Sequence, residues 1–265
     1  MVENKYKQIV LVGDTVGILL LMKYAPQASI TGIIAAGVRP QYINELSELS
    51  KNLGIRFLIQ PEFKTNRYSG FLTGFKKLNA DLLICNSYSM VIREDILKLI
   101  NYNAVNVHWA LLPKNRGPNP VQWAIIKEES QTGVTVHYMN DGIDSGDIIA
   151  QKAVPIDFKD TWCALSNKLS AATEDLLEEE IPRILTGVNK RFPQDNSQAT
   201  RNTRLRPESP RIDFKVMTDM EIYNLIRAQV KPLKGAYLEH NGEKVYFPEF
   251  IEHEKVKELR KKYAG

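Results

Sequence analysis

Hydrophobic residues in the first hundred positions fall into short continuous runs separated by amphipathic stretches. Gln8 to Val12, Ile30 to Ala35, Arg56 to Ile59 and Leu82 to Asn86 have the length and β-branched content of strands. Helical spacing marks the apolar stretch through Met22, Tyr42 to Leu53, Gly70 to Leu78 and Glu94 to Ile100. Strands alternating with helices predict a parallel sheet covered on both faces. Ala104, Val105 and Val107 read as a further strand ending near His108, and Val134 to Met139 as another. The expected fold class is α/β: a Rossmann-like, mostly parallel sheet with helices on both faces.

The pattern changes in the second half. Leu165, Leu169, Ala172, Leu176 and Ile184 keep helical spacing over Thr161 to Leu185, among many glutamates that read as a solvated face. From Gly187 to Pro210 the chain turns to Asn, Gln, Ser, Thr, Arg and Pro, the composition of an irregular connector. Asp219 to Gln229 then reads as a helix. Ala236 to Glu239 and Lys244 to Phe247 follow as strands around Asn241-Gly242, a strong hairpin turn, and Glu252 to Tyr263 as a charged helix. Residues 1–200 are therefore expected to form the main domain and 206–265 a small C-terminal helix and β-hairpin subdomain.

Composition narrows the class. The 265 residues, 43% hydrophobic and 25% charged, can build one sizeable core with an appendage. Ile18 to Met22 is too short to span a bilayer, and the first residues lack a secretory pattern, so a cytoplasmic location without membrane attachment is expected. Cys85 and Cys163, the only cysteines, lie in no metal-spaced cluster and read as packed thiols. The net charge of +4 suits an anionic ligand but is small for nucleic acid. Between Val188 and Lys215 seven basic residues face three acidic ones, either as solvated surface or beside an anionic ligand. Gly13-Asp14-Thr15-Val16-Gly17 after the first strand lacks the middle glycine of a dinucleotide fingerprint, so Gly17 is read as a close helix–strand contact.

The chemistry gathers between Asn106 and Ile148. On a strand, positions 106 and 108 share one side, and Asp144 lies in the loop Asp141-Gly-Ile-Asp-Ser-Gly-Asp147 after the next strand. An imidazole, a carboxylate to orient it and an amide donor suit acyl transfer with neither metal nor covalent enzyme intermediate. His108 would serve as acid and base, Asp144 as its charge partner, and Asn106 as oxyanion donor. Taken alone, an Asn-x-His pair also fits a strand-end cap beside a satisfied histidine. A metal hydrolase on His108, His137 and Asp144 is a weaker alternative, because Val136-His137-Tyr138 in a strand gives no standard ligand spacing. A catalytically silent binding module is another.

The longer string, Asn106-x-His108, Leu111-Leu112-Pro113, Arg116-Gly117, Pro120, Ala124-Ile125, Gly133-Val134-Thr135 and Asp141-Gly142-x-Asp144-Ser145-Gly146-Asp147, resembles the N10-formyltetrahydrofolate-dependent formyltransferases. The resemblance is sharp over residues 80–150 and looser elsewhere. It implies Asn106, His108 and Asp144 as catalytic residues and N10-formyltetrahydrofolate as co-substrate. The folate head would lie against Asn86, Tyr88, Ser89, Met90, Val91 and Ile92, and against Asn140, Asp141, Gly142 and Ile143.

Among the family's acceptors, a sugar nucleotide is expected, as in lipopolysaccharide O-antigen biosynthesis, with methionyl-tRNA as the alternative. The tRNA members carry a long basic loop after the second strand and a C-terminal barrel. Here only Ala36-Gly37-Val38-Arg39-Pro40 follows that strand, and residues 206–265 are expected to leave too little chain for the barrel. The expected acceptor contacts are Lys114 and Arg116 for phosphate and Tyr223, Tyr237 and Tyr246 for the base. No nucleic-acid or membrane partner is expected, and a homodimer is compatible with the sequence.

Overall fold

The computed structural model describes residues 3–263. In chain order the elements are β1 (Ile9–Gly13), α1 (Thr15–Met22), β2 (Ile30–Ala36), α2 (Ile43–Leu53), β3 (Arg56–Gln60), α3 (Tyr68–Lys76), β4 (Leu82–Asn86), α4 (Glu94–Leu99) and β5 (Ala104–His108). They continue with α5 (Pro120–Ile126), β6 (Gln131–Tyr138), β7 (Ile148–Pro155), α6 (Trp162–Thr186), α7 (Asp219–Arg227), β8 (Ala236–His240), β9 (Glu243–Phe247) and α8 (Lys255–Tyr263). Among the described residues no helix is long and apolar enough to cross a membrane.

Seven strands form one sheet in the order β3-β2-β1-β4-β5-β6-β7. The first five pair in parallel, as the alternation of strands and helices predicts, and β6 runs antiparallel to β5. Every residue of β1 and β4 is buried, which explains why both read as unbroken apolar runs. The order reverses between β1 and β4, the point where open sheets of this kind bind ligands beyond their strand ends. Gly13 and Gly17 let the β1–α1 turn approach β4. A Cβ at either would stand 2.2 or 2.5 Å from the Asn86 carbonyl oxygen.

Two elements lie outside the sequence expectation. Only two of the eight β7 residues are buried, so it carries little apolar signal. α5 has seven residues and begins at Pro120 after Asn119 in the left-handed region, too short for a period to show.

The chain forms two compact units. The first comprises residues through His108, 135–151 and 173–195; the second comprises 109–134, 152–172 and the chain from Asn196 on. The second unit is thus larger than the 206–265 segment expected to stand apart. Its core packs Ile212, Ile222, Tyr223, Leu225, Ile226, Ala236, Leu238 and Val256. α7 begins with a full capping box between Thr218 and Glu221, and the β8–β9 turn takes Asn241 and Gly242 at φ 50° and 81°, as expected of that dipeptide. The basic segment after Gly187 is tied down rather than loose. Within the second unit Thr200 and Asn202 hydrogen-bond the backbone of Pro113 and Arg116, and the Trp123 indole donates to Thr203 O at 2.8 Å.

Candidate active site

β5 carries Asn106 and His108 on one side, as the strand period requires, and β6 places His137 opposite Asn106 and Thr135 opposite His108. The His137 ring is 2% exposed and both of its nitrogens are engaged. Nδ1 lies 2.8 Å from the Tyr138 carbonyl, which can only accept, so this nitrogen carries the proton. In the neutral ring Nε2 is then an acceptor, and the Asn106 amide nitrogen meets it at 3.1 Å. That contact fixes which end of the Asn106 amide presents its hydrogens.

Because β6 runs against β5, its end lies level with Val105 rather than with His108. The loop from Asn140 to Asp147 turns back to bring a carboxylate between the two imidazoles. Asp144 Oδ2 is 3.7 Å from His108 Nδ1 and Oδ1 is 3.6 Å from His137 Nε2. The His108 approach is slightly beyond hydrogen-bond reach, a spacing that a catalytic hydrogen bond often closes only once substrate is bound, whereas His137 Nε2, already accepting from Asn106, has no proton to give the carboxylate. The site is largely dry: the His108 side chain is 9% exposed and that of Asp144 16%. Asn140 Oδ1 accepts from Gly142 N and Ser145 Oγ, making the turn that carries the loop. A Cβ at Gly142 would meet Ser145 Oγ at 2.1 Å, so a larger residue there would have to turn that hydroxyl away from Asn140. Asp144 itself sits at φ 49°.

Cys85 lies beside Asn106 in the sheet and is 1% exposed. Burial, then the charges of Asp144 and Asp14, push its thiol well above the usual range, so it is a packed thiol and no nucleophile.

The loop after β4 forms the neighbouring wall. Asn86 and Ile92 are buried, Tyr88, Ser89 and Met90 half-buried, and Val91 and, across the loop after β6, Ile143 exposed. Asn140, Asp141 and Gly142 are exposed, and Asp141 accepts from the Tyr102 hydroxyl at 3.1 Å. Gln60, buried at the end of β3, holds this wall: it accepts from the Tyr88 hydroxyl and donates to Val91 O, both at 2.9 Å. Beyond the ends of β1, β2 and β4 lies a depression lined by Gly13, Asp14, Arg39, Tyr42, Ser87 and Ser89. There Arg39 donates to Ser89 Oγ at 3.0 Å. Asp14 caps α1 through Gly17 N, and burial raises its carboxyl above the ordinary range despite that bond.

The expected acceptor residues fare differently. Tyr223 and Tyr237 are 0% and 2% exposed, with hydroxyls aimed at the Phe158 and Glu208 carbonyls, so neither offers a face to a base. Large aromatics at the centre of a small unit are its main source of buried area. Tyr246 is half-buried with its ring 5.4 Å from that of Tyr237. Arg116 is also corrected: it is 3% exposed and braces its own unit by donating to Asn196 Oδ1 at 2.9 Å. Lys114 is exposed. Sequence reasoning weighed His137 only as a metal ligand and passed over Gln60. His137 could have been found from the alternation of β6 once its pairing with β5 was known.

Comparison with known proteins gives two kinds of likeness. The methionyl-tRNA formyltransferase of Lactiplantibacillus plantarum is 37% identical over 189 residues, which is 71% of this chain and 59% of that protein. The Staphylococcus aureus enzyme of the same name is 36% identical over 202 residues, 75% of this chain and 64% of that one. The chain thus spans less than two thirds of the length of these curated relatives. Among solved structures, a 4-N formyltransferase from Francisella tularensis superposes with a TM-score of 0.73 at 22% identity, covering 93% of this chain and 98% of its own. An N-formyltransferase from Helicobacter canadensis, solved with folinic acid and dTDP-3-aminofucose, gives 0.64 at 19% identity, covering 90% and 86%. Likeness at such identity speaks to the fold. The sequence pattern of the formyl transferase family matches residues 39–181, more than half of the chain and all of the constellation around Asp144, and the chain belongs to that family.

Proposed function

We propose that this chain is a folate-dependent sugar-nucleotide N-formyltransferase, moving a formyl group from N10-formyltetrahydrofolate to the amine of a nucleoside-diphosphate-linked amino sugar. The observation that carries the reaction is the Asp144 carboxylate set between His108 and His137, with the Asn106 amide oriented beside it. The acceptor amine forms its bond to the formyl carbon, and the carbonyl oxygen takes up the negative charge. Asn106 donates to that oxygen while His108 removes the amine proton and Asp144 stabilises the imidazolium so formed. Collapse breaks the bond to N10 of the folate, which receives the proton from His108. The walls suit the donor: Val91 and Ile143, 61% and 50% exposed, and the half-buried Tyr88 and Met90 offer apolar surface to a flat heterocycle, with loop backbone groups for its polar edge.

The acceptor rests on a different part of the chain. Likeness to the Francisella tularensis enzyme takes in 93% of the residues and so most of α7 to α8, whereas likeness to the tRNA enzymes takes in 71–75%. The β2–α2 connection is also short, running from Gly37 to Tyr42 with a single 3₁₀ turn, where the tRNA members carry a long basic loop. In this reading the enzyme acts in the cytoplasm on a small-molecule acceptor, and a homodimer is compatible with it. The tRNA reading is favoured by one observation, the 36–37% identity to enzymes of that name. The deciding experiment offers labelled formyl donor with a panel of nucleotide-linked amino sugars and, in parallel, aminoacylated initiator tRNA, across a salt series. Sugar formylation weakly sensitive to salt is expected. Contacts with several phosphates would instead make activity on tRNA fall by orders of magnitude between low and moderate salt. Such steeply salt-sensitive tRNA formylation with no sugar product overturns the acceptor assignment.

A further inference from the structure

Residues 188–195, whose composition reads as connector, belong to the first unit and are bonded repeatedly to the hairpin that carries Asp144. Asn189 Nδ2 donates to the Tyr138 hydroxyl at 2.9 Å. The Arg191 guanidinium stacks 3.9 Å from the Tyr138 ring centre and meets Asp147 at 3.3 Å. Phe192 and Ile148 exchange both backbone hydrogen bonds, at 2.8 and 2.9 Å. The segment ends on Gln194, whose amide nitrogen donates to the carbonyl of Asp144 at 2.9 Å and to that of Gly146 at 2.7 Å.

Asp144 at φ 49° occupies the left-handed region, which a non-glycine residue keeps when its surroundings hold it there. A primary amide nitrogen has two hydrogens and no charge, so it can bind two carbonyls without drawing in a counter-ion. We propose that Gln194 is a positioning residue: its amide clamps the carbonyls on either side of Ser145 and so holds the Asp144 carboxylate between His108 and His137. The proposal rests on the reading of Asp144 as the charge partner of His108.

The test uses the full chain with Gln194→Ala, Gln194→Glu, and Gln194→Ala in an Asp144→Asn background, assayed with whichever acceptor the wild-type chain formylates. Gln194→Ala should lower kcat on the order of tenfold to a hundredfold, as a slightly misplaced catalytic group does, with KM for donor and acceptor nearly unchanged. In the Asp144→Asn background it should cost no further kcat. Gln194→Glu turns an acceptor toward two carbonyls at neutral pH and should be slower than Gln194→Ala. Its rate relative to wild type should climb as the pH falls and its carboxyl gains a proton to donate. Hydrogen exchange, which needs no turnover, should quicken in Gln194→Ala over residues 140–147 and not across β1 or β4. Unchanged kcat in Gln194→Ala, an equal loss with and without the Asp144 carboxylate, a flat pH ratio for Gln194→Glu, or unaltered exchange of the loop would each overturn the proposal. Formylation of tRNA in place of sugar nucleotides would defeat the acceptor assignment alone, since the ratios between variants read the same.

Discussion

Replacing Asp144 by asparagine keeps the shape of the side chain and removes its charge, so it isolates what the carboxylate does for the imidazole that takes the proton. At 3.7 Å from His108 Nδ1, the attraction to an imidazolium is about 4.5 kcal/mol with an effective dielectric constant of about 20. At 1.36 kcal/mol per decade that would be about three decades in rate. The 16% exposure of the carboxylate and a separation beyond hydrogen-bond reach both weaken the coupling, which leaves a loss in kcat of about a hundredfold to a thousandfold. Donor binding should change little, because the apolar wall formed by Tyr88, Met90, Val91 and Ile143 is untouched. The assay is single-turnover formyl transfer at saturating donor and acceptor, with fluorescence titration of a non-transferable folate to read donor affinity. Turnover of Asp144→Asn within roughly tenfold of wild type would refute the reasoning, since even a modest acid–base contribution is about a hundredfold.

Asn106→Ala should lower kcat by the equivalent of about 2–4 kcal/mol while acceptor KM stays near the wild-type value; an effect confined to KM contradicts the oxyanion role. For Asp14 the folded carboxyl is raised above the ordinary 3.8 by burial, so the folded state holds its proton more tightly than the unfolded chain does. Stability is therefore lost as the pH rises from the unfolded value through the folded one. Asp14→Asn, which still caps α1, should show no advantage at low pH and a growing one across that window in urea midpoints measured from pH 3.5 to 7; a parallel pair of curves would refute this. Tyr223→Ala should destabilise the chain by about 3–5 kcal/mol in denaturant titrations, as large-to-small changes in a core do. Tyr237→Phe, which only loses a 3.4 Å hydrogen bond, should leave acceptor KM unchanged; a large rise in that KM would return Tyr237 to the binding site.

Strands covered on both faces announce themselves, which is why β1, β2 and β4 were legible as bare apolar runs, and why Asn106 and His108 could be set on one side of β5. β7 stayed hidden because only two of its residues are buried, and α5 because seven residues are too few to display a period. The antiparallel direction of β6 is a property of the sheet rather than of any local pattern. With it went the pairing of His137 with Asn106, which depends on residues 31 positions apart. Gln194 was hidden for a related reason. A polar residue among Pro, Asp, Asn and Ser reads as loop, and only its contact with a carbonyl 50 positions earlier gives it a task. Tyr223 and Tyr237 failed in the opposite direction: aromatics in a short segment can be platform or core, and burial decided for core.

The proposed acceptor and the one named for the curated relatives can differ for a physical reason. Residues 39–181, where the family pattern lies, contain Asn106, His108, His137, Asp144 and the walls around Val91 and Ile143. In the proposed mechanism Asn106, His108 and Asp144 act on the formyl oxygen and the moving proton, and any acceptor amine makes the same demands on them. Identity gathered there measures shared chemistry and says little about what carries the amine. Acceptor choice is a difference in binding energy supplied by surfaces outside the reacting atoms, and these can change while the reacting groups stay fixed. Gln194 and the whole of α7 to α8 lie beyond the family pattern. A 36% identical relative can therefore share the reaction without sharing the acceptor.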